Sequence, residues 1–135
     1  MKKIIETDIQ IRFADIDGLG HVNNAHLQQY FDQGKMDFYK RVLGKTVEPD
    51  SESIILVSVC TNYFLQTKLY DDIYVETALE KIGTKSITFY QRVVDRKTAE
   101  VKADCRTVAV AFNFETQLSM ELKDEWKAAM REYLQ

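Results

Sequence analysis

One helical period stands in a chain otherwise written in alternation. From Asn24 onward, Leu27, Phe31, Gly34, Phe38 and Val42 recur every three to four residues, the spacing of one helix face. Tyr30, Met36 and Tyr39 widen that face, so the helix is expected to be contacted on more than one side. Asn23 or Asn24 is the expected N-cap and Gly44 the C′ residue. Gly34 costs about 1 kcal/mol relative to Ala inside a helix, and it predicts a helix pressed closely against another backbone.

Around this helix the period is two. Glu6 to Phe13 alternates, with Ile9, Ile11 and Phe13 on one side. After a connection over Lys45 to Ser53, strands are expected over Ile54–Gln66, Ile73–Ile82, Lys85–Val94 and Ala99–Phe114. The last of these carries charge at its start and hydrophobes on both faces at its end, so Val108 to Phe112 should be covered on both sides. Leu118 to Leu134 reads as a closing helix. Short turns between consecutive strands favour an antiparallel meander. Laying the apolar helix on that curved sheet buries both. The fold class is therefore α+β, an antiparallel curved sheet wrapped around a long central helix.

The rest of the composition narrows the function. A chain of 135 residues with one Pro and five Gly suits a single domain over 1–135. No apolar run approaches the roughly 18 residues of a membrane span, and MKKIIETDIQ has no secretory apolar region. The net charge of −3 has its signs mixed along the chain, which argues against nucleic acid and against a membrane surface. Cys60 and Cys105 lack metal or redox spacing, so buried free thiols in a cytoplasmic protein are expected.

The segment between the first strand and the helix holds the chemistry. It reads Arg12-Phe13, Asp15-x-Asp17 and Gly20-His21-Val22-Asn23-Asn24. A calcium loop starting at Asp15 would want an oxygen ligand at residue 19 and a Glu at 26. Leu19 and His26 stand there. His21 and His26 are five apart rather than the four of a helical zinc pair. No metal and no cofactor are expected, and neither cysteine has a histidine neighbour for nucleophilic catalysis.

Those same residues, with the helix that follows, resemble the signature of the hotdog thioesterases, above all the 4-hydroxybenzoyl-CoA thioesterase-like acyl-CoA thioesterases. The HVNN run is also similar to that of acyl-ACP thioesterases. Many members of the family carry a proline and a glycine between the second and third strands, where this chain has Gln66 to Asp72. The resemblance implies a hotdog fold and hydrolysis of acyl-CoA to free acid and CoA. It implies that Asp17 is the catalytic carboxylate, as nucleophile or as general base. On the residues alone, an Asp ahead of a helix also reads as a turn or helix cap.

A helix N-terminus offers free N–H groups and about half a positive charge. Backbone donors near Asn24 and Ala25 would thus hold the thioester carbonyl. His21 would orient substrate or assist proton transfer, or else bond to its own loop. Asn23 would position a water or the carbonyl, or else cap the helix. Lys81, Lys85 and Arg92 are the nearest basic group for a CoA nucleotide, or a solvated face. The alternatives are hydrolysis of acyl-ACP, a hotdog hydratase, and a non-catalytic module that binds an acyl thioester. A homodimer, or a dimer of dimers, is expected from the open strand edge and the wide apolar helix face, with the acyl site between subunits.

Overall fold

The computed structural model describes residues 2–45 and 51–135; the connection through Pro49 lies outside them. The elements are β1 (Ile5–Asp8), α1 (Asn24–Leu43), β2 (Glu52–Tyr63), β3 (Ile73–Ile82), β4 (Ser86–Asp95), β5 (Val101–Asn113), β6 (Leu118–Ser119) and α2 (Asp124–Met130). Among the described residues, the strands form one antiparallel sheet in the order β1-β3-β4-β5-β2, with β6 on β5. A long helix wrapped by a curved antiparallel sheet is the hotdog arrangement that the element order predicts.

The meander holds for β3, β4 and β5 only. β2 does not pair with its successor. It lies at the far edge beside β5, with Tyr63 opposite Ala103. The reason is occupancy: β1 already fills the open edge of β3, with Ile5 opposite Thr77. The connection 64–72 therefore crosses the width of the sheet rather than forming a hairpin.

α1 covers the sheet face on which Val75, Thr77, Leu79, Ile87, Phe89, Gln91 and Val93 point inward, all of them fully buried. At the C-terminal end, Phe38 packs with Leu79, Phe89, Trp126 and Met130. At the N-terminal end, Leu27, Tyr30 and Phe31 pack with Val75, Val93, Ala103 and Cys105. Each fully buried Phe contributes about 1.5–3 kcal/mol. Gly44 ends the helix in the left-handed region at φ 67°, its N–H donating to the Lys40 carbonyl, as a C-terminal glycine should.

Gly34 lets helix and sheet approach closely, and side chains rather than backbone make the contact. A Cβ there would lie 2.8 Å from each of Gln91 Nε2, Thr77 Oγ1 and Val75 Cγ1. Gln91 is the polar residue that interrupts β4, and its Nε2 donates to the Phe31 carbonyl of α1 and to Thr77 Oγ1, both at 2.9 Å. The missing Cβ leaves room for that amide to reach the helix backbone.

Two expected boundaries move, and one expected burial is only partly met. The first strand ends at Asp8; Ile9 and Ile11 carry the alternation beyond it, and a 3-10 turn over Phe13–Asp15 then breaks it. Phe13 is then 83% exposed instead of buried, and Asp15 takes the inward position. The closing helix begins only at Asp124. Met120 N–H donates to the Ala111 carbonyl and Leu122 N–H to the Thr84 carbonyl, so residues 118–122 run extended along the sheet. At the end of β5, Ala109 and Ala111 are buried while Val108, Val110 and Phe112 are half-buried, so the outer face there is only partly covered.

Gly34→Ala should lower stability by about 1–3 kcal/mol through overpacking, despite the better helix propensity of Ala. Urea unfolding would read this, and an unchanged midpoint would mean that the Gln91 contact yields without cost.

Candidate active site

Between β1 and α1 the chain passes through a 3-10 turn and a short loop, and one carboxylate organises the path. Asp15 is 1% exposed. It accepts hydrogen bonds from the Arg12 backbone N–H at 3.0 Å and from the Arg12 guanidinium at 2.9 and 3.2 Å. Tyr30, two turns along the buried face of α1, donates its hydroxyl to the same carboxylate. The Asp15 carbonyl accepts from Asn23 N–H at 2.9 Å. His26 Nε2 stands 3.8 Å from Asp15 Oδ1. Burial by itself would push the Asp15 pKa up. The bonds from Tyr30 and Arg12 outweigh it and hold the carboxyl at about 2. The same pair pushes the Tyr30 phenol well above its ordinary range, through burial and through the facing carboxylate.

Between Asp15 and the helix, residues 16–22 form a small closed loop. Ile16 and Val22 pair as a bridge, Asp17 N–H donates to the His21 carbonyl at 3.0 Å, and Gly20 N–H donates to the Asp17 carbonyl at 3.1 Å. Gly20 sits at φ 86°, a conformation that favours glycine. Asp17 is half-buried. Its Oδ1 accepts from Leu19 N–H at 2.8 Å, an Asx turn, and Oδ2 has no protein partner among the described residues. This geometry is that of the turn-capping alternative. It also leaves one carboxylate oxygen available.

Asn23 is the N-cap of α1, accepting from Ala25 N–H at 2.8 Å. That accounts for Ala25. Asn23 N–H is held by Asp15, and Leu27 N–H donates to the Asn23 carbonyl at 3.0 Å. Of the first-turn donors that a helix leaves without intrahelical partners, Asn24 and His26 remain. The open donor that lines the cleft is therefore Asn24 rather than Ala25.

A cleft of about 190 Å³ opens against this tip, with His21, Val22, Asn24 and Leu27 on one side and Tyr63 to Thr67 on the other. It brings His21 and Asn24 together. Asp17, Asn23 and Ala25 flank it without lining it. The opposing wall comes from the end of β2 and the crossing connection, a segment that sequence reasoning did not assign to the site. Only the crossover explains its arrival: Val22 N–H donates to the Thr67 carbonyl at 2.8 Å. Arg92 is occupied by Glu76, and Lys81 and Lys85 flank the far end of the β3–β4 hairpin, where Ile82 faces Ile87. Among the described residues, no group of three His, Cys, Asp or Glu side chains could hold a metal ion. None of the described helices is long and apolar enough to cross a membrane.

The depressed pKa makes Asp15 a pH-dependent brace. Its stabilisation is complete above the ordinary carboxyl value of 3.8 and is lost as pH falls towards about 2, with at most about 2 kcal/mol at stake. Asp15→Asn should therefore be less stable than wild type at pH 6. The gap should close between pH 4 and pH 2 in denaturant titrations. A gap independent of pH would show that charge is not what the carboxylate contributes.

Comparison with known proteins finds relatives along most of the chain. Long-chain acyl-CoA thioesterase FadM of Escherichia coli (strain K12) is 21% identical over 129 residues, which are 95% of this chain and 98% of that protein. The uncharacterized protein YsmA of Bacillus subtilis (strain 168) is 21% identical over 82 residues, 61% of this chain and only 55% of that protein's length. A solved structure described as a predicted thioesterase from Bacillus stearothermophilus superposes with a TM-score of 0.89 at 26% identity, covering 98% of both chains. The model of the thioesterase-like superfamily matches residues 11–130, and the chain belongs to that superfamily.

Proposed function

We propose that this chain is an acyl-CoA thioesterase, hydrolysing an acyl thioester to the free acid and CoA. The observation that carries the reading is the tip of α1, an open N–H donor at Asn24 in a cleft flanked by a loop carboxylate. A thioester carbonyl placed at the tip would accept from Asn24 N–H and feel the positive end of the helix. Asp17, one oxygen tied to its turn and the other unengaged, attacks the carbonyl carbon or takes the proton of a water that does so. The new C–O bond replaces the C–S bond, and CoA leaves as the thiolate and is protonated; on the nucleophilic route water then hydrolyses the acyl–Asp17 anhydride, which frees the acid and restores the carboxylate. His21 lines the cleft and orients the carbonyl or the leaving group. Asn23 acts indirectly, by fixing the cap. FadM, alike along nearly its whole length, supports CoA as the carrier over an acyl carrier protein.

The cleft alone is small. Sites for ligands of drug size run to about 300–1,000 Å³, so about 190 Å³ holds the reacting centre without a long acyl chain. β2 lies at one end of the strand order and exposes Leu56, Val57, Val59 and Tyr63. An apolar edge strand of this length invites antiparallel pairing. A second copy joined along β2 would extend the sheet and enlarge the cleft beside Tyr63. The exposed apolar edge supports a dimer, or a dimer of dimers. The turn-capping geometry of Asp17 favours a second reading, a hotdog module that binds acyl thioesters without cleaving them.

Wild type should cleave members of an acyl-CoA panel, while Asp17→Asn should lose about 100-fold or more in kcat with KM little changed. Full activity in the variant would remove Asp17 from the mechanism, and stabilisation by acyl-CoA without turnover in wild type would favour the binding module. Sizing chromatography should show a dimer or larger; a monomer would contradict the shared site.

A further inference from the structure

Thr67 stands out in the wall of the cleft. It is 4% exposed, yet its Oγ1 has no hydrogen-bond partner among the described residues. Buried hydroxyls ordinarily find one, since their desolvation is otherwise uncompensated. The backbone of Thr67 is not free to drift, because its carbonyl is bonded to Val22 N–H at 2.8 Å, one residue ahead of the cap of α1. The same cleft is lined by Asn24 and by the buried side chain of Leu27. A valine of nearly the same shape would fill this space with no hydroxyl to satisfy. Among the described residues, no group of the fold uses the hydroxyl.

We propose that Thr67 is a substrate-contacting residue whose hydroxyl donates to the carbonyl oxygen of the bound acyl thioester, opposite the Asn24 N–H. This rests on the acyl-thioester reading of the cleft. A carbonyl oxygen has two lone pairs and accepts from two donors at once. One comes from the helix tip and one from the crossing segment, and the two are locked together by the Val22–Thr67 backbone bond. A change of χ1 between staggered wells turns the hydroxyl towards an entering acceptor. As negative charge grows on that oxygen in the transition state, both bonds strengthen. The acyl substituent then leaves past Leu27, so the ligand class is a thioester whose carbonyl is flanked by apolar carbon.

Thr67→Val and Thr67→Ser separate this role from a structural one. Two CoA ligands that cannot be hydrolysed serve as probes: a ketone in which methylene replaces the thioester sulfur, and an S-alkyl-CoA that lacks the carbonyl. Thr67→Val should keep or raise Tm, lose about tenfold or more in affinity for the ketone, and bind the S-alkyl ligand as wild type does. Thr67→Ser should restore ketone binding, and kcat/KM on any cleaved acyl-CoA should follow the same order. Wild type that binds the ketone through Thr67 but cleaves no acyl-CoA would sink the enzymatic reading and leave this contact standing. Equal ketone affinity in wild type and Thr67→Val, a lowered Tm with both ligands weakened alike, or no binding of either ligand to wild type would each overturn it.

Discussion

The geometry of the site depends on the buried carboxylate of Asp15. It draws three things to one point: the backbone where the first strand gives way, the guanidinium of Arg12, and the hydroxyl of Tyr30 on the central helix. Its own carbonyl then holds the N–H of the helix cap. Loop and helix are in this way fixed to each other through both the side chain and the main chain of a single residue. The short loop carrying Asp17 and His21 hangs between these anchors, and its position relative to the helix tip follows from them. A buried anion is costly unless fully paired. Here every contact on the carboxylate comes from a donor, and the pKa of about 2 expresses how far the pairing outweighs burial.

A second constraint sets the height of the helix over the sheet. Gly34 allows α1 to settle onto Gln91, Thr77 and Val75, and the Gln91 amide bonds to the helix backbone at Phe31. This polar anchor inside an otherwise apolar interface selects one register, since sliding the helix by a residue would leave the amide without its carbonyl. With the helix fixed in register, its N-terminus meets the row of the sheet that runs through Thr7, Val75, Val93, Ala103 and Tyr63. The cleft opens at the Tyr63 end of that row.

Much of the architecture was readable in the residues because period is a local property. The 3.6-residue recurrence of Leu27, Phe31 and Phe38 marks the helix wherever the rest of the chain goes, and the glycine at its end marks its stop. The alternation of β3 and β4 is equally local. The boundaries that moved are those where a long-range bond overrode the pattern. Phe13 alternates with Ile9 and Ile11 in sequence, but the bonds that bury Asp15 turn it out to solvent. Leu118 to Leu122 have a helix-compatible stripe, but bonds to Ala111 and Thr84 hold them extended.

The sequence by itself determined the inventory: a central helix, the strands that wrap it, a loop with two aspartates and a histidine, and the resemblance carried by Arg12 to Asn24. Tertiary structure alone decided which of these residues meet. The edge position of β2 comes from competition for the side of β3, which no local pattern records, and it brings Tyr63 to Thr67 across from the helix tip. Likewise, the choice of Asn24 over Ala25 as the open donor depends on which hydrogen bonds the cap and Asp15 have already taken. That is a question of accounting among atoms brought together by folding, and spacing along the chain does not contain it.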